Sequence, residues 1–389
     1  MNEQSSGMRT HIGFFGMRNV GKSSLVNAFT GQSVSIVSDI LGTTTDPVKK
    51  SMELLPLGPV MIYDTPGIDD VGELGKMRVK RAEKLLGFID IAILVTTADR
   101  ELNELENILI EKFKSRDIKY IIVYNKSDLY KSDNAVSVSA RTGENINFLK
   151  ETVAKLIKSD NDKRIIADYI DIGDVVILVT PIDESAPKGR LILPQQQTVR
   201  DILDAGGIPI LTKETELPKT LESLSVKPKL VITDSQVFPF VSKTLPNDIP
   251  LTSFSILFAR FKGNLQLLIN GAKVLDNLTK NSKILISEAC THHRQCNDIG
   301  TVKLPALIEK YVGARPQLFF TSGNDFPDNL DDYDLIIHCG GCMLTEKQMK
   351  NRIAFATDAD VPITNYGIAI AYMNGILKRT TELFNEISL

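Results

Sequence analysis

The chain has 389 residues, with 45 Lys or Arg against 48 Asp or Glu and a formal net charge of −3. That length predicts two to three domains, each able to bury its own core, and the slightly acidic balance excludes a general attraction to nucleic acid or anionic membranes. No apolar run approaches the ~20 residues needed to span a bilayer and MNEQSSGMRT carries no export signal, so the expected location is cytoplasmic.

The most tightly specified signature comes first. Residues 12–15 (IGFF) suit a buried strand, and Gly16-Met17-Arg18-Asn19-Val20-Gly21-Lys22-Ser23 follows at once, ahead of a helical stretch, SLVNAFTG. That is the setting of a P-loop. Backbone N–H groups and the helix N-terminus face the phosphates, with Gly21 and Ser24 in the same turn. Lys22 reaches the β- and γ-phosphates and the Ser23 hydroxyl holds Mg²⁺. Asp64-Thr65-Pro66-Gly67 follows the apolar run VMIY, which sets a carboxylate at a strand end near the Mg²⁺ shell and the Gly67 N–H at the γ-phosphate. Asn125-Lys126-Ser127-Asp128 follows YIIVY. Its aspartate can accept from the N1 and N2 donors of guanine, a pair that adenine lacks. Ser139-Ala140 ends a fourth short strand, AVSVS, with the Ala140 N–H placed for guanine O6, and Gly42-Thr43-Thr44-Thr45-Asp46 offers Thr44 as a second Mg²⁺-binding hydroxyl. Four signatures in order, each at a strand end, predict a GTPase domain over residues 1–163 that binds GTP and GDP, with Lys22, Thr44 and Gly67 as its catalytic groups.

Two details bear on turnover. Ile68 follows the DTPG stretch and carries no polar group, so no glutamine orients the attacking water there as in Ras-like GTPases. Asn19 resembles the residue that ligates K⁺ in GTPases related to the tRNA-modifying and Era families, where the cation stands in for an arginine finger. The resemblance implies slow, K⁺-stimulated hydrolysis. The plain alternative is a turn asparagine with no cation. His11 precedes the first strand and is expected in solvent; VGELGKMRVKRAEK reads as a helix with a solvated basic face.

The charged stretch SDNDKR marks a boundary, and a middle α/β unit is expected over 164–262. DVVILVTPI reads as a strand, ESAPKGRLILPQQQ as a polar surface loop, QQTVRDILDAG as a helix, LVITD as a strand, SQVFPFVSK as a short helix and LTSFSILFAR as another strand. No chemical motif appears there, and exposed apolar strands in so small a unit suit a dimer interface.

The third unit, 263–389, opens with the helical period of NLQLLINGAKVLDNL. The strand KILISEA runs into Cys290-Thr291-His292-His293-Arg294-Gln295-Cys296. After a helix, VKLPALIEKYVG, and the strand QLFF, the strand DLII runs into His338-Cys339-Gly340-Gly341-Cys342. Helices alternating with strands imply a parallel sheet, whose ligands bind beyond the strands' carboxyl ends. Both cysteine groups stand at such ends, so they can converge across the 45 residues between His292 and His338. In a reducing compartment clustered cysteines point to metal rather than disulfide. Zinc and an iron–sulfur cluster both accept thiolate and imidazole. The size of the unit, which can fold without a metal, and the Gly340-Gly341 pair, which lets backbone N–H groups approach sulfide, favour the cluster.

Taken together, a GTPase domain, a middle domain and the set Cys290-x-His292 with His338-Cys339-x-x-Cys342 resemble the HydF family of [FeFe]-hydrogenase maturation GTPases over the whole chain. The resemblance implies a [4Fe–4S] cluster held by Cys290, Cys339 and Cys342, with His338 and His292 as candidates for the fourth iron. It further implies a scaffold or carrier that receives a transient di-iron precursor made with two radical-SAM maturases and passes it to apo-[FeFe]-hydrogenase, with GTP hydrolysis regulating partner association. The homodimer is expected from the apolar strands of the middle unit alone. Cys296 and His293 fall outside that pattern and are expected to be an ordinary thiol and a surface or hydrogen-bonding side chain. The rival reading is an Era-like GTPase for RNA modification or ribosome assembly with a zinc-stabilised accessory domain. The acidic balance and the lack of interleaved basic and aromatic residues stand against it. A third is a redox-sensing GTPase whose cluster controls hydrolysis and carries nothing.

Overall fold

In the computed structural model, described over residues 9–31, 48–55, 57–65, 85–87, 89–130, 136–156, 163–182, 191–289, 299–323, 326–327 and 329–388, the chain forms two compact units, Met1–Asp162 and Lys163–Leu389. No helix among the described residues is long and apolar enough to cross a membrane.

The first unit is a five-stranded sheet of order β2-β3-β1-β4-β5, built from β1 (Thr10–Gly16), β2 (Val48–Leu54), β3 (Gly58–Asp64), β4 (Ile91–Thr97) and β5 (Lys119–Asn125). All neighbours are parallel except β2 and β3. Its central strands are buried on both faces, which is why IGFF and IAILVTT read as unbroken apolar runs. Phe14, Val26 and Leu149 pack on one face; Phe15, Leu94 and Phe113 pack on the other. The expected strand AVSVS is reduced to one bridge, Tyr124 to Ser137, because only Val136 and Val138 exchange backbone bonds with Tyr124. His11 is a correction: it lies within β1 at 1% exposure, and its Nδ1 meets the Tyr63 hydroxyl at 3.1 Å. The basic stretch 71–84 lies outside the described residues.

The second unit contains two four-stranded sheets, both wholly parallel, of order β7-β6-β8-β9 and β11-β10-β12-β13. The first holds β6 (Val175–Val179), β7 (Ile208–Thr212), β8 (Leu230–Thr233) and β9 (Leu251–Ser253); the second holds β10 (Lys283–Ser287), β11 (Gln317–Thr321), β12 (Leu335–His338) and β13 (Ile363–Asn365). The two are one module used twice. Val176 pairs with Leu230 as Ile284 pairs with Leu335, and Thr233 with Ser253 as His338 with Asn365. Beyond the ladders, Thr180 N–H donates to Thr212 O as Glu288 N–H does to Thr321 O, and Asp234 N–H donates to Val179 O as Cys339 N–H does to Ser287 O. The sequence carries a trace of this. Pro250, Thr252, Ile256, Ala259, Gly263 and Leu265 recur as Pro362, Thr364, Ile368, Ala371, Gly375 and Leu377, at a constant offset of 112 residues. A single hydrophobic core runs through both modules, from Ile165 to Phe384.

Two local expectations are corrected. LTSFSILFAR is a three-residue strand followed by the helix Phe254–Lys262, because the Ser253 hydroxyl caps the Ile256 N–H at 3.2 Å and starts a helix inside the apolar run. The helix Leu193–Asp204 begins inside the expected loop, with Pro194 in its first turn and Gln195 Oε1 accepting from Ile192 N at 3.1 Å.

Candidate nucleotide site and candidate metal centre

The helix α1 (Lys22–Thr30) begins at Gly21, which has φ +88° and no side chain to cap the first N–H groups. A Cβ at Gly21 would lie 2.4 Å from Asn125 Nδ2, so this turn needs glycine for both its conformation and its closeness to the base loop. Asn19 occupies the left-handed region at φ +64°, which asparagine tolerates. Buried Lys22 spans the loop, its Nζ 3.0 Å from Gly16 O and 2.6 Å from Met17 O.

Asp64, at the end of β3, has its carboxyl pushed above the usual range by burial, against the opposing pull of the Ser23 hydroxyl and the charges of Lys22 and Lys50. Its Oδ1 is buried without a hydrogen-bond partner. A buried, unpartnered carboxylate oxygen beside a serine hydroxyl fits a Mg²⁺ shell. Lys50, on β2, was not singled out in the sequence, where one lysine in a strand looks like an ordinary solvated charge. It is buried, bonds Asn27 Oδ1, and has its ammonium pKa lowered by burial.

The base loop is tied to the P-loop. Asn125 Nδ2 donates to Val20 O at 2.9 Å, while its Oδ1 accepts the Ala140 N–H at 3.1 Å. The Ala140 N–H, expected at guanine O6, is therefore engaged by Asn125. Ser139 Oγ donates to Asp128 Oδ1 at 2.7 Å and so fixes the orientation of that carboxylate, the one expected to meet guanine. Lys126 holds φ +66°, and Ser23 and Ser24 stand exposed in the first turn of α1. Thr44 and Gly67 lie outside the described residues.

In the second unit, β10 and β12 are parallel neighbours, with Ser287 beside His338. The residue that precedes Cys290 meets the second cysteine group: Ala289 N–H donates to Cys339 Sγ at 3.1 Å. Cys290 and His292, with His293 and Cys296, lie outside the described residues. Cys339 and Cys342 form no disulfide among the described residues. Among the described residues no group of three or more His, Cys, Asp or Glu is gathered to hold a metal. Burial pushes the Cys342 thiol up, opposed by the charge of Lys262 and by the N–H groups of Cys342 and Met343. Gly341 sits at φ +62°, where a Cβ would lie 2.3 Å from Met349 Cε. Thiols at a glycine turn, with backbone N–H groups aimed at sulfur, fit a cluster's thiolate ligands.

His338 is 1% exposed. Its Nε2 stands 2.8 Å from Arg352 and its Nδ1 2.7 Å from Cys339 O. A guanidinium can only donate, so Nε2 is the acceptor and Nδ1–H donates to the carbonyl. Burial and the Arg352 charge hold the imidazole neutral, with its pKa lowered to about 3. Both nitrogens are engaged, so ligation would require Arg352 to let go. Arg352, itself buried, also donates to Gly323 O at 2.7 Å and lies 5.0 Å from the Phe326 ring centre. Neither Arg352 nor Lys262 was singled out in the sequence, where a buried cation looks like a surface one.

Residues 165–263 match the hydrogen maturase F dimerization domain and residues 266–383 its tetramerization domain, and residues 11–126 match the 50S ribosome-binding GTPase family. The chain belongs to the hydrogen maturase F family. Among curated proteins, the tRNA modification GTPase MnmE of Neisseria gonorrhoeae is 36% identical over 150 residues, covering 36% of this chain and 33% of that protein. GTPase Der of Wolinella succinogenes is 35% identical over 172 residues, covering 38% and 36%. The chain thus spans about a third of the length of these relatives. Among solved structures, Aquifex aeolicus Era is 19% identical with a TM-score of 0.33, covering 55% of this chain and 98% of that one. In this member of the hydrogen maturase F family the dimerization-domain match ends just past Lys262 and the tetramerization-domain match holds both described thiols.

Proposed function

We propose that the chain is a GTP-hydrolysing scaffold of hydrogenase maturation, which binds a [4Fe–4S] cluster through Cys290, Cys339 and Cys342. It holds a di-iron precursor made with two radical-SAM maturases and passes it to apo-[FeFe]-hydrogenase. The observation that carries this reading is the hydrogen bond from Ala289 N–H, the residue just before Cys290, to Cys339 Sγ. When bound, the cluster supplies an iron with an exchangeable position beside the precursor. His338, with both nitrogens engaged, serves as a buried strut under Cys339 rather than as a ligand, which leaves His292 or an exogenous group for the fourth iron.

In the first unit the chain's residues bind and orient GTP. Lys22 leaves the Gly16 and Met17 carbonyls for the β- and γ-phosphates, and Asp128, aligned by Ser139, accepts from guanine. Ser23 and Thr44, with Asp64 behind them, would hold Mg²⁺, which would neutralise phosphate charge. Asn19 holds K⁺ beside the transferred phosphate, and hydrolysis is slow. The Gly67 N–H and Thr44 report the γ-phosphate, and their release on hydrolysis regulates partner association. A homodimer forms through the edge strand β7, where Ile208 and Leu211 stand exposed. The site of action is the cytoplasm.

Two experiments test this. Chain loaded by the two maturases should confer hydrogen evolution on apo-[FeFe]-hydrogenase, and Cys339→Ala should abolish it; an unchanged yield contradicts the carrier role. GTP turnover should be several-fold faster in KCl than in NaCl, and equal rates remove K⁺ from the site.

A further inference from the structure

Lys262 is the last residue of the helix Phe254–Lys262, within the segment matched by the dimerization domain, yet its ammonium ends in the other module. Its Nζ donates to Leu344 O at 2.7 Å, Gly341 O at 3.3 Å and Cys342 O at 3.4 Å. Three N–H bonds thus meet three carbonyls of the turn that carries Cys342. The residue is 2% exposed, and its head lies 5.5 Å from the Phe258 ring centre. Ordering so long a side chain and burying its charge are both unfavourable unless something compensates. The carbonyls compensate in part. Burial lowers the Lys262 pKa to about 8, and the nearby Cys342, Cys339 and Glu346 groups oppose that shift.

The duplication sharpens the point. At the offset of 112 residues the second module places Asn374 where the first has Lys262. The first module, which sends out the lysine, has Asp234 where the second has Cys339, and it contains no cysteine at all. The cation and the thiols stand in different modules.

The geometry points to Lys262 as a positioning residue that fixes the Gly341–Leu344 turn and offsets the negative charge of a thiolate-bound centre from the neighbouring module. The dimerization-type module would thereby set the shape and electrostatics of the metal site. This inference rests on the reading that the three cysteines hold a cluster, but its grip on the turn does not need the cluster to be present.

The test uses the full chain as wild type, Lys262→Met, Lys262→Arg and the exposed control Lys243→Met. In metal-free protein, hydrogen exchange over residues 339–345 should be at least ten-fold faster in Lys262→Met and unchanged in the control. After anaerobic reconstitution, the bound centre should have a more negative midpoint potential in Lys262→Met and a near wild-type one in Lys262→Arg, which keeps the charge but not the three-carbonyl fit. Unchanged exchange in Lys262→Met overturns the inference, and so does faster exchange with an unmoved potential, which a merely structural pin would give. Should Lys262→Met not fold, Lys262→Gln is read by the same two measurements. If the wild type takes up no iron, the cluster reading fails and the charge-offset half of this inference falls with it, while the exchange measurement decides the grip of Lys262 on the turn alone.

Discussion

The two modules of the second unit share strand order, register and even the hydrogen bonds that leave their strand ends, yet only one ends in thiols. Where the second module has Glu288, His338 and Cys339, the first has Thr180, Thr233 and Asp234. Asp234 spends its carboxylate on capping, accepting from Gln236 N at 3.2 Å; Cys339 leaves its sulfur to accept from Ala289. The parallel sheet supplies a place beyond the strand ends, and the side chains there decide whether that place has chemistry.

The largest expected contrast lies in those side chains. Cys339→Ala or Cys342→Ala should abolish iron uptake on reconstitution, whereas Asp234→Ala should leave iron content at the wild-type level and shift stability by only about 1 kcal/mol through its lost cap. Iron retained in either cysteine variant would break the comparison. Next comes the buried strut. Arg352→Leu leaves His338 Nε2 and Gly323 O without their donor and should lower unfolding free energy by about 2–4 kcal/mol. Thr233→Val, at the position equivalent to His338, should cost less than about 1 kcal/mol. Urea titration of each variant checks the pair.

A smaller effect depends on pH. Burial pushes the Glu346 carboxyl up, but hydrogen bonds and charges from Lys163 and Lys350 outweigh it and hold the group below its ordinary value. A carboxyl lowered in the folded state contributes stability above its unfolded pKa, and that contribution is lost as pH falls through the folded value. The helix Glu346–Asp358 should therefore loosen on acidification before its counterpart Phe238–Thr244, which has no acidic residue. Hydrogen exchange between pH 7 and pH 4 reads this order, and Glu346→Gln should erase it. The smallest effect tests the duplication itself. Thr252 and Thr364, equivalent positions, both bury a hydroxyl with no hydrogen-bond partner. Thr252→Val and Thr364→Val should each be neutral or stabilising by up to about 1 kcal/mol, and by matching amounts.

What was legible in the sequence follows from how local each signal is. The P-loop, Asp64, Asn125 and Asp128 each sit in a contiguous motif at a strand end, so the nucleotide site could be read before any fold was known. Alternating helices and strands likewise announced the parallel sheets, and the cysteine spacing is a signal just as local. The second layer of both sites was not legible. Lys50, Lys262 and Arg352 act through carbonyls, amides and rings far away in sequence, and a cation looks the same in sequence whether buried or solvated. LTSFSILFAR looked like a strand because its apolar and aromatic residues favour one, whereas the capping hydroxyl of Ser253 chose a helix. The duplication was hidden because its ladders are made by interchangeable apolar residues and its loops differ in length.

The central claim is that the strand-end thiols of the second module hold an iron–sulfur centre. The measurement is iron, acid-labile sulfide and zinc per chain in protein purified and reconstituted without oxygen, as wild type and as Cys342→Ala. Iron and sulfide should each be near four per wild-type chain, as for one [4Fe–4S] centre, and neither should be found in the variant. Zinc without sulfide in the wild type, or undiminished iron in Cys342→Ala, would contradict that claim.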